Sequence, residues 1–151
     1  VLSFSIVGVY WVAHHLMFKA VVSAGRVILW LNNLFLLTIS LVPASAALLG
    51  AGSKSPIPTL LYGLNIAAVG SSMLVLWHYV VLRHRKMGTP IDRRLSMHAY
   101  ARTIIGIGVA LTGAAVGFFR PSISYGLFWL APVTYILLQS APQKMSETET
   151  V

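Results

Sequence analysis

The chain has 151 residues, of which 57% are hydrophobic and 9% charged, with a mean hydropathy of +0.80. A soluble domain carries about 25% charged residues, so the composition excludes an ordinary soluble fold and indicates an integral membrane protein. The net charge of +8 comes from lysine and arginine lying almost entirely between apolar runs. That pattern fits membrane topology and excludes a nucleic-acid surface. With no cysteine, disulfides, iron–sulfur clusters and thiolate zinc sites are excluded as well.

Crossing the hydrocarbon core takes about 20 mostly apolar residues. Five stretches approach or meet that length, at about 1–18, 27–51, 57–82, 100–119 and 122–141, which predicts an all-α polytopic transmembrane helix bundle. The first run, VLSFSIVGVYWVAHHLMF, lacks the basic lead and small-residue cleavage site of a secretory signal. Within it Trp11, His14, His15 and Phe18 follow i, i+3, i+4, i+7, the spacing of one helix face, together with Phe4 and Gly8. An imidazole facing lipid is unfavourable, whereas one facing other helices finds hydrogen-bond partners. A hydrogen-bond network between helices is therefore expected here.

The second run, VILWLNNLFLLTISLVPASAALLG, carries Trp30, Asn32 and Asn33 in its first turns, and Pro43 is expected to kink its outer half. Amides in membrane helices bond across helices, so the asparagine and histidine pairs can meet. The third run contains Asn65, small residues at Gly70 to Ser72, and Trp77-His-Tyr near its end. Trp and Tyr are interface residues. The fourth is rich in small residues, and Gly113-Ala-Ala-Val-Gly117 is a GxxxG pattern suited to close helix packing. Arg120-Pro121 makes a short connection, with Pro121 placed to start the last helix. The tail, 142–151, is polar and expected to be disordered.

The loop RHRKMGTPIDRR, Arg83 to Arg94, holds five arginines and lysines and is expected on the cytoplasmic side. Alternation then places Lys19, Arg26 and Lys144 inside and Lys54 and Arg120 outside, eight basic residues against two, with Arg102 uncounted. The C-terminus is thus expected in the cytoplasm and Val1 on the outer side. An outer N-terminus without hydrophilic residues is what removal of one preceding helix would leave. The expectation is a six-helix parent.

No predicted span contains Asp or Glu, since the acids are Asp92, Glu147 and Glu149. Ion-coupled carriers generally use an intramembrane carboxylate or a broken helix. No TVGYG-like filter, nucleophile–base pair, phosphate loop or HExxH motif is present either. An enzyme is not expected, nor a metal site or other cofactor. An alternative is a haem-binding membrane oxidoreductase subunit, in which His14 or His15 and His78 supply axial ligands from facing helices. A membrane assembly protein without transport is a further reading.

YWVAHHLMF (Tyr10–Phe18), LWLNNLFLLTISLVP (Leu29–Pro43) and LYGLN (Leu61–Asn65) resemble the second, third and fourth helices of transmembrane protein 175 family potassium channels. The resemblance runs in order through most of the chain, with a basic loop before the fifth helix. It departs at Pro43-Ala-Ser-Ala, where a Pro-Phe-x-Thr-like stretch is closer to the family pattern. The resemblance implies that the five spans are the second to sixth helices of a six-helix unit. It also implies four copies per channel, potassium as the permeant ion and a bacterial plasma membrane as the location. In the family the first helix lines the pore with an FS-x-x-x-D motif and an apolar constriction. Phe4-Ser5 is followed here by Ile-Val-Gly-Val without Asp, and the motif does not transfer to it. The resemblance thus gives Trp11, His14, His15, Asn32 and Asn33 the role of holding that pore helix, and Gly113 and Gly117 that of helix packing. The pore-lining residues themselves are expected outside this chain.

Overall fold

The computed structural model describes residues 2–21, 25–51, 55–89, 91–120 and 122–130. Among them every regular element is a helix: α1 (Leu2–Lys19), α2 (Arg26–Ser40), α3 (Val42–Gly50), α4 (Ile57–Lys86), α5 (Arg93–Phe119) and a helical stretch at 122–130. The expected all-helical bundle is what forms. Among the described residues three stretches, Arg26–Gly50, Ile57–Lys86 and Arg93–Phe119, are long and apolar enough to cross a membrane. The chain is a multi-pass membrane protein. α1, with 18 residues, reaches about 27 Å at 1.5 Å per residue, a little short of the roughly 30 Å hydrocarbon core. The rest of the last expected span, Pro121 and the polar tail lie outside the described residues.

α2 and α3 form nearly one rod, interrupted at Leu41. Pro43 has no N–H for Ile39 and its ring crowds that carbonyl, so the regular ladder stops one turn before it. Leu41 keeps helical angles, φ −81° and ψ −12°, and Ser45 N–H returns to its carbonyl at 3.0 Å. The kink expected from Pro43 is therefore a local break. Ile28, Phe35, Val42 and Leu49 are buried every seventh residue along the rod, with Ser45 also buried and Leu31 and Thr38 partly so between them. This is an a/d seam, the 3.5-residue period of helices packed side by side.

The seam faces α4, the central helix. α4 buries residues around most of its circumference, from Thr59 and Tyr62 to Val80 and Val81, and packs against α2, α3 and α5. Thr38 Oγ1 meets Ser72 Oγ at 3.0 Å and Asn65 Nδ2 donates to Ser45 Oγ at 3.0 Å. That pairing makes α2–α3 antiparallel to α4. α5 returns along the other side of α4, and small residues set how close it comes. A Cβ on Gly63 would lie 2.6 Å from Ala114 Cβ and 2.8 Å from the Ala110 carbonyl oxygen. One on Gly117 would collide with Thr59, and one on Gly113 would lie 2.6 Å from Phe128 of the 122–130 stretch. Gly113 thus faces the 122–130 stretch, and Gly117 faces both α4 and Ser124 of that stretch, while Gly106 and Gly108 face open space.

The basic connection is more helical than its composition suggests. Arg83 to Lys86 form the last turn of α4, and Arg93 and Arg94 open α5. Gly88 takes φ +73°, Thr89 N–H reaches the His84 carbonyl and Gly88 N–H that of Arg85. These two bonds are a Schellman motif closing the helix. Asp92 Oδ1 accepts from Arg94 N–H at 2.9 Å and caps α5. His84 ties this end to α1, with Nε2 2.6 Å from the Ala20 carbonyl oxygen and Nδ1 3.0 Å from that of Thr89. His84→Ala is expected to free the end of α1 and speed limited tryptic cleavage at Lys19 or Arg26 by roughly fivefold, a lost bond being worth about 1 kcal/mol. Unchanged cleavage would remove the clamp.

Candidate functional site, the α1–α2 polar seam

The two adjacent histidines part company, because neighbours on a helix lie about 100° apart. His14 turns toward α2 and is partly buried, whereas His15 is exposed. His14 Nε2 lies 2.7 Å from Asn32 Oδ1. An amide oxygen only accepts, so the imidazole donates. The same ring lies almost parallel to Phe35, centroids 5.0 Å apart and planes 7° apart, and is 4.4 Å from the Phe18 ring. Tyr10 reaches Phe35 one turn away, at 6.4 Å. Phe35 is buried in the a/d seam of α2, so the hydrogen bond is anchored on the core. The His–Asn bond crosses between helices beside the Phe18 and Phe35 rings.

Trp11 and His15 lie elsewhere. Their rings stack at 5.5 Å with planes 10° apart, and Trp11 remains 62% exposed. With Phe4, 81% exposed, they form an outward stripe on α1 at four- and three-residue spacing, and a Cβ on Gly8 in its middle would meet nothing. Asn33 is exposed beside Asn32, and Trp30 is exposed on the preceding turn. Of the five residues singled out in sequence, the structure joins His14 and Asn32, stacks Trp11 on His15, and leaves Asn33 apart.

His78 belongs to a third place. Its Nδ1 is 3.0 Å from the Tyr100 hydroxyl of α5, whereas His14 meets Asn32 of α2 and His15 stacks on Trp11. Among the described residues no three His, Cys, Asp or Glu side chains gather where they could hold a metal ion.

Several interhelical bonds carry no sequence motif. Besides Thr38–Ser72 and Asn65–Ser45, Tyr125 donates to the Leu49 carbonyl at 2.9 Å and Ser124 to that of Gly113. A hydroxyl in an apolar run often bonds its own helix, as Ser72 does to the Val69 carbonyl at 2.9 Å. Its sequence therefore does not say which neighbour it also meets. The one signal is periodicity: Thr38 and Ser45 fall on the same seam as Leu31.

The family model described as endosomal/lysosomal potassium channel TMEM175 matches residues 1–43, the stretch containing α1 and α2. A protein named as a potassium channel from Chryseobacterium sp. (strain P1-3) is 26% identical over 137 residues, covering 91% of this chain and 70% of that protein. Another so named, from Streptomyces collinus (strain DSM 40733 / Tue 365), is 27% identical over 117 residues, 75% of this chain and 55% of the relative. The match thus spans 70% of the length of the first relative and 55% of the second. No solved structure matches the chain. The His–Asn seam lies inside the segment that matches the TMEM175 family model, and the similarity to bacterial proteins named as potassium channels continues through the later helices.

Proposed function

We propose that this chain is the scaffold part of a subunit of a potassium-permeable cation channel, and not an enzyme. The observation that carries this reading is the similarity, over 91% of the chain, to a bacterial protein named as a potassium channel. In this reading the pore is lined by a helix outside the chain. The outward stripe of α1 holds that helix, and four copies surround the pore in a bacterial plasma membrane with the C-terminus in the cytoplasm. The position of His15 and Asn33 supports the scaffold role. Both are exposed in a protein whose surroundings are lipid, and polar groups in a membrane generally face protein or water. The His14–Asn32 bond fixes the angle between α1, which carries His15, and α2, which carries Asn33. Ion passage by an apolar constriction depends on wetting and width, so a rigid support for the pore helix sets both.

The test is flux. The full-length protein, reconstituted in liposomes with a potassium gradient, is expected to dissipate it, and the combined substitution of His15 and Asn33 by Ala is expected to lower the rate at least fivefold. A folded protein without flux defeats the channel reading. Unaltered flux in the double variant defeats only the scaffold role of that face.

A further inference from the structure

The basic end of the bundle holds a cavity of about 250 Å3 between α4 and α5. Arg85, in the last turn of α4, and Arg93, in the first turn of α5, stand at its rim. Val81, Leu82 and Met97 give it apolar walls. About 10 Å along α4 from Arg85, the His78–Tyr100 pair lines it, joined by a 3.0 Å contact.

Charge here is one-sided. Arg83, Arg85, Lys86, Arg93 and Arg94 lie within twelve positions of one another, and Asp92 is the single carboxylate among the described residues. That carboxylate is engaged in capping α5. Among the described residues no ion pair neutralises Arg85 or Arg93. α4 is 30 residues long, about 45 Å, which exceeds the roughly 30 Å hydrocarbon core. Its last turns and the first turns of α5 therefore stand at the level of the lipid headgroups.

We infer that this cleft binds the phosphate of an anionic phospholipid between Arg85 and Arg93. The glycerol esters then lie at the depth of His78 and Tyr100, and an acyl chain runs along Val81, Leu82 and Met97. Basic pockets between membrane helices at the headgroup level are suited to such lipids. A free phosphate would use the two guanidinium groups and leave the apolar walls without a role. The inference needs the chain to lie in a membrane and does not depend on its conducting ions.

Native mass spectrometry of the delipidated full-length protein tests this, with phosphatidylglycerol, phosphatidylcholine and glycerol 3-phosphate added separately. Phosphatidylglycerol is expected to bind selectively, and Arg85→Gln with Arg93→Gln to raise the lipid concentration needed about 30-fold, each arginine near a surface being worth about 1 kcal/mol. Arg120→Gln, away from the cleft, is expected to change nothing. Equal phosphatidylglycerol retention by the double variant overturns the proposal. So does binding of phosphatidylcholine as tight as that of phosphatidylglycerol, and so does displacement of the lipid by equimolar glycerol 3-phosphate, which would mark a soluble phosphate as ligand. A measurement that leaves the cleft intact guards against a variant that misfolds. Phosphatidylglycerol with a photoreactive acyl chain is expected to label Leu82 or Met97 in the unmutated protein, and labelling confined to other helices also overturns the site.

Discussion

Gly63→Leu is expected to destabilise the protein by about 3 kcal/mol or more, the upper range for forcing bulk into a packed core. In a chain of this size that corresponds to a fall in the midpoint of thermal unfolding of roughly 6 to 12 °C. The magnitude follows from what the new side chain meets. A Cβ alone would lie 2.8 Å from the carbonyl oxygen of Ala110 and 2.6 Å from Ala114 Cβ. One is backbone and the other has no rotamer to change. Relief requires α5 to move away from α4, which breaks the seam over several turns and loosens Thr59 against Gly117. Gly106→Leu is the control, because a Cβ there meets nothing within 4 Å. It is expected to leave the midpoint unchanged or raise it slightly through helix propensity. Equal midpoints for the two variants, followed by tryptophan fluorescence in detergent, would mean that glycine does not set the α4–α5 approach.

Removal of the His14 side chain is the second large effect, about 1 to 3 kcal/mol for His14→Ala. An interhelical hydrogen bond in a membrane contributes about 0.5 to 2 kcal/mol, and an aromatic contact about 0.5 to 1.5 kcal/mol. The two contributions separate experimentally. His14→Phe keeps a ring against Phe35 and loses the donor to Asn32, so it should cost roughly half as much as alanine. A double-mutant cycle with Asn32→Ala should give a coupling of about 0.5 to 2 kcal/mol, the value of the bond itself. His15→Ala is expected to change the stability of the isolated subunit far less, since its exposed ring stacks on the exposed Trp11. Zero coupling between positions 14 and 32 would remove the bond from the account of how α1 and α2 are held together.

The sequence carried the class of the protein clearly. Long apolar runs with charges sorted between them have one physical solution, because a backbone in lipid must satisfy its own hydrogen bonds. Pro43 also announced an interruption in the second run, though not that α3 would continue on the same seam after one residue. The adjacent histidines announced polar contacts between helices. Their i, i+3, i+4, i+7 spacing with Trp11 and Phe18 pointed to a single face, while the structure directs His14 and Phe18 inward and Trp11 and His15 outward. A stripe more than 100° wide spans both directions, and only a packed neighbour decides where it is divided. The partner of each polar group was illegible for a related reason. Asn32 and Asn33 are chemically alike, and which of them meets His14 depends on the rotation of α2, which is set by Ile28, Phe35, Val42 and Leu49 seated against the rest of the bundle.

By itself, then, the order of residues determined that this is a helical membrane protein with a strongly basic connection and polar side chains inside its apolar runs. Hydropathy and charge are local quantities that lipid and water read directly. Only the tertiary structure decided that α4 is the hub, that Gly63 and Gly117 bring α5 close to it, that His14 and not His15 bonds to Asn32, and that Arg85 and Arg93 share one cleft. Each of those facts depends on the rotation and register of one helix against another, and these are fixed by the packing of many side chains at once.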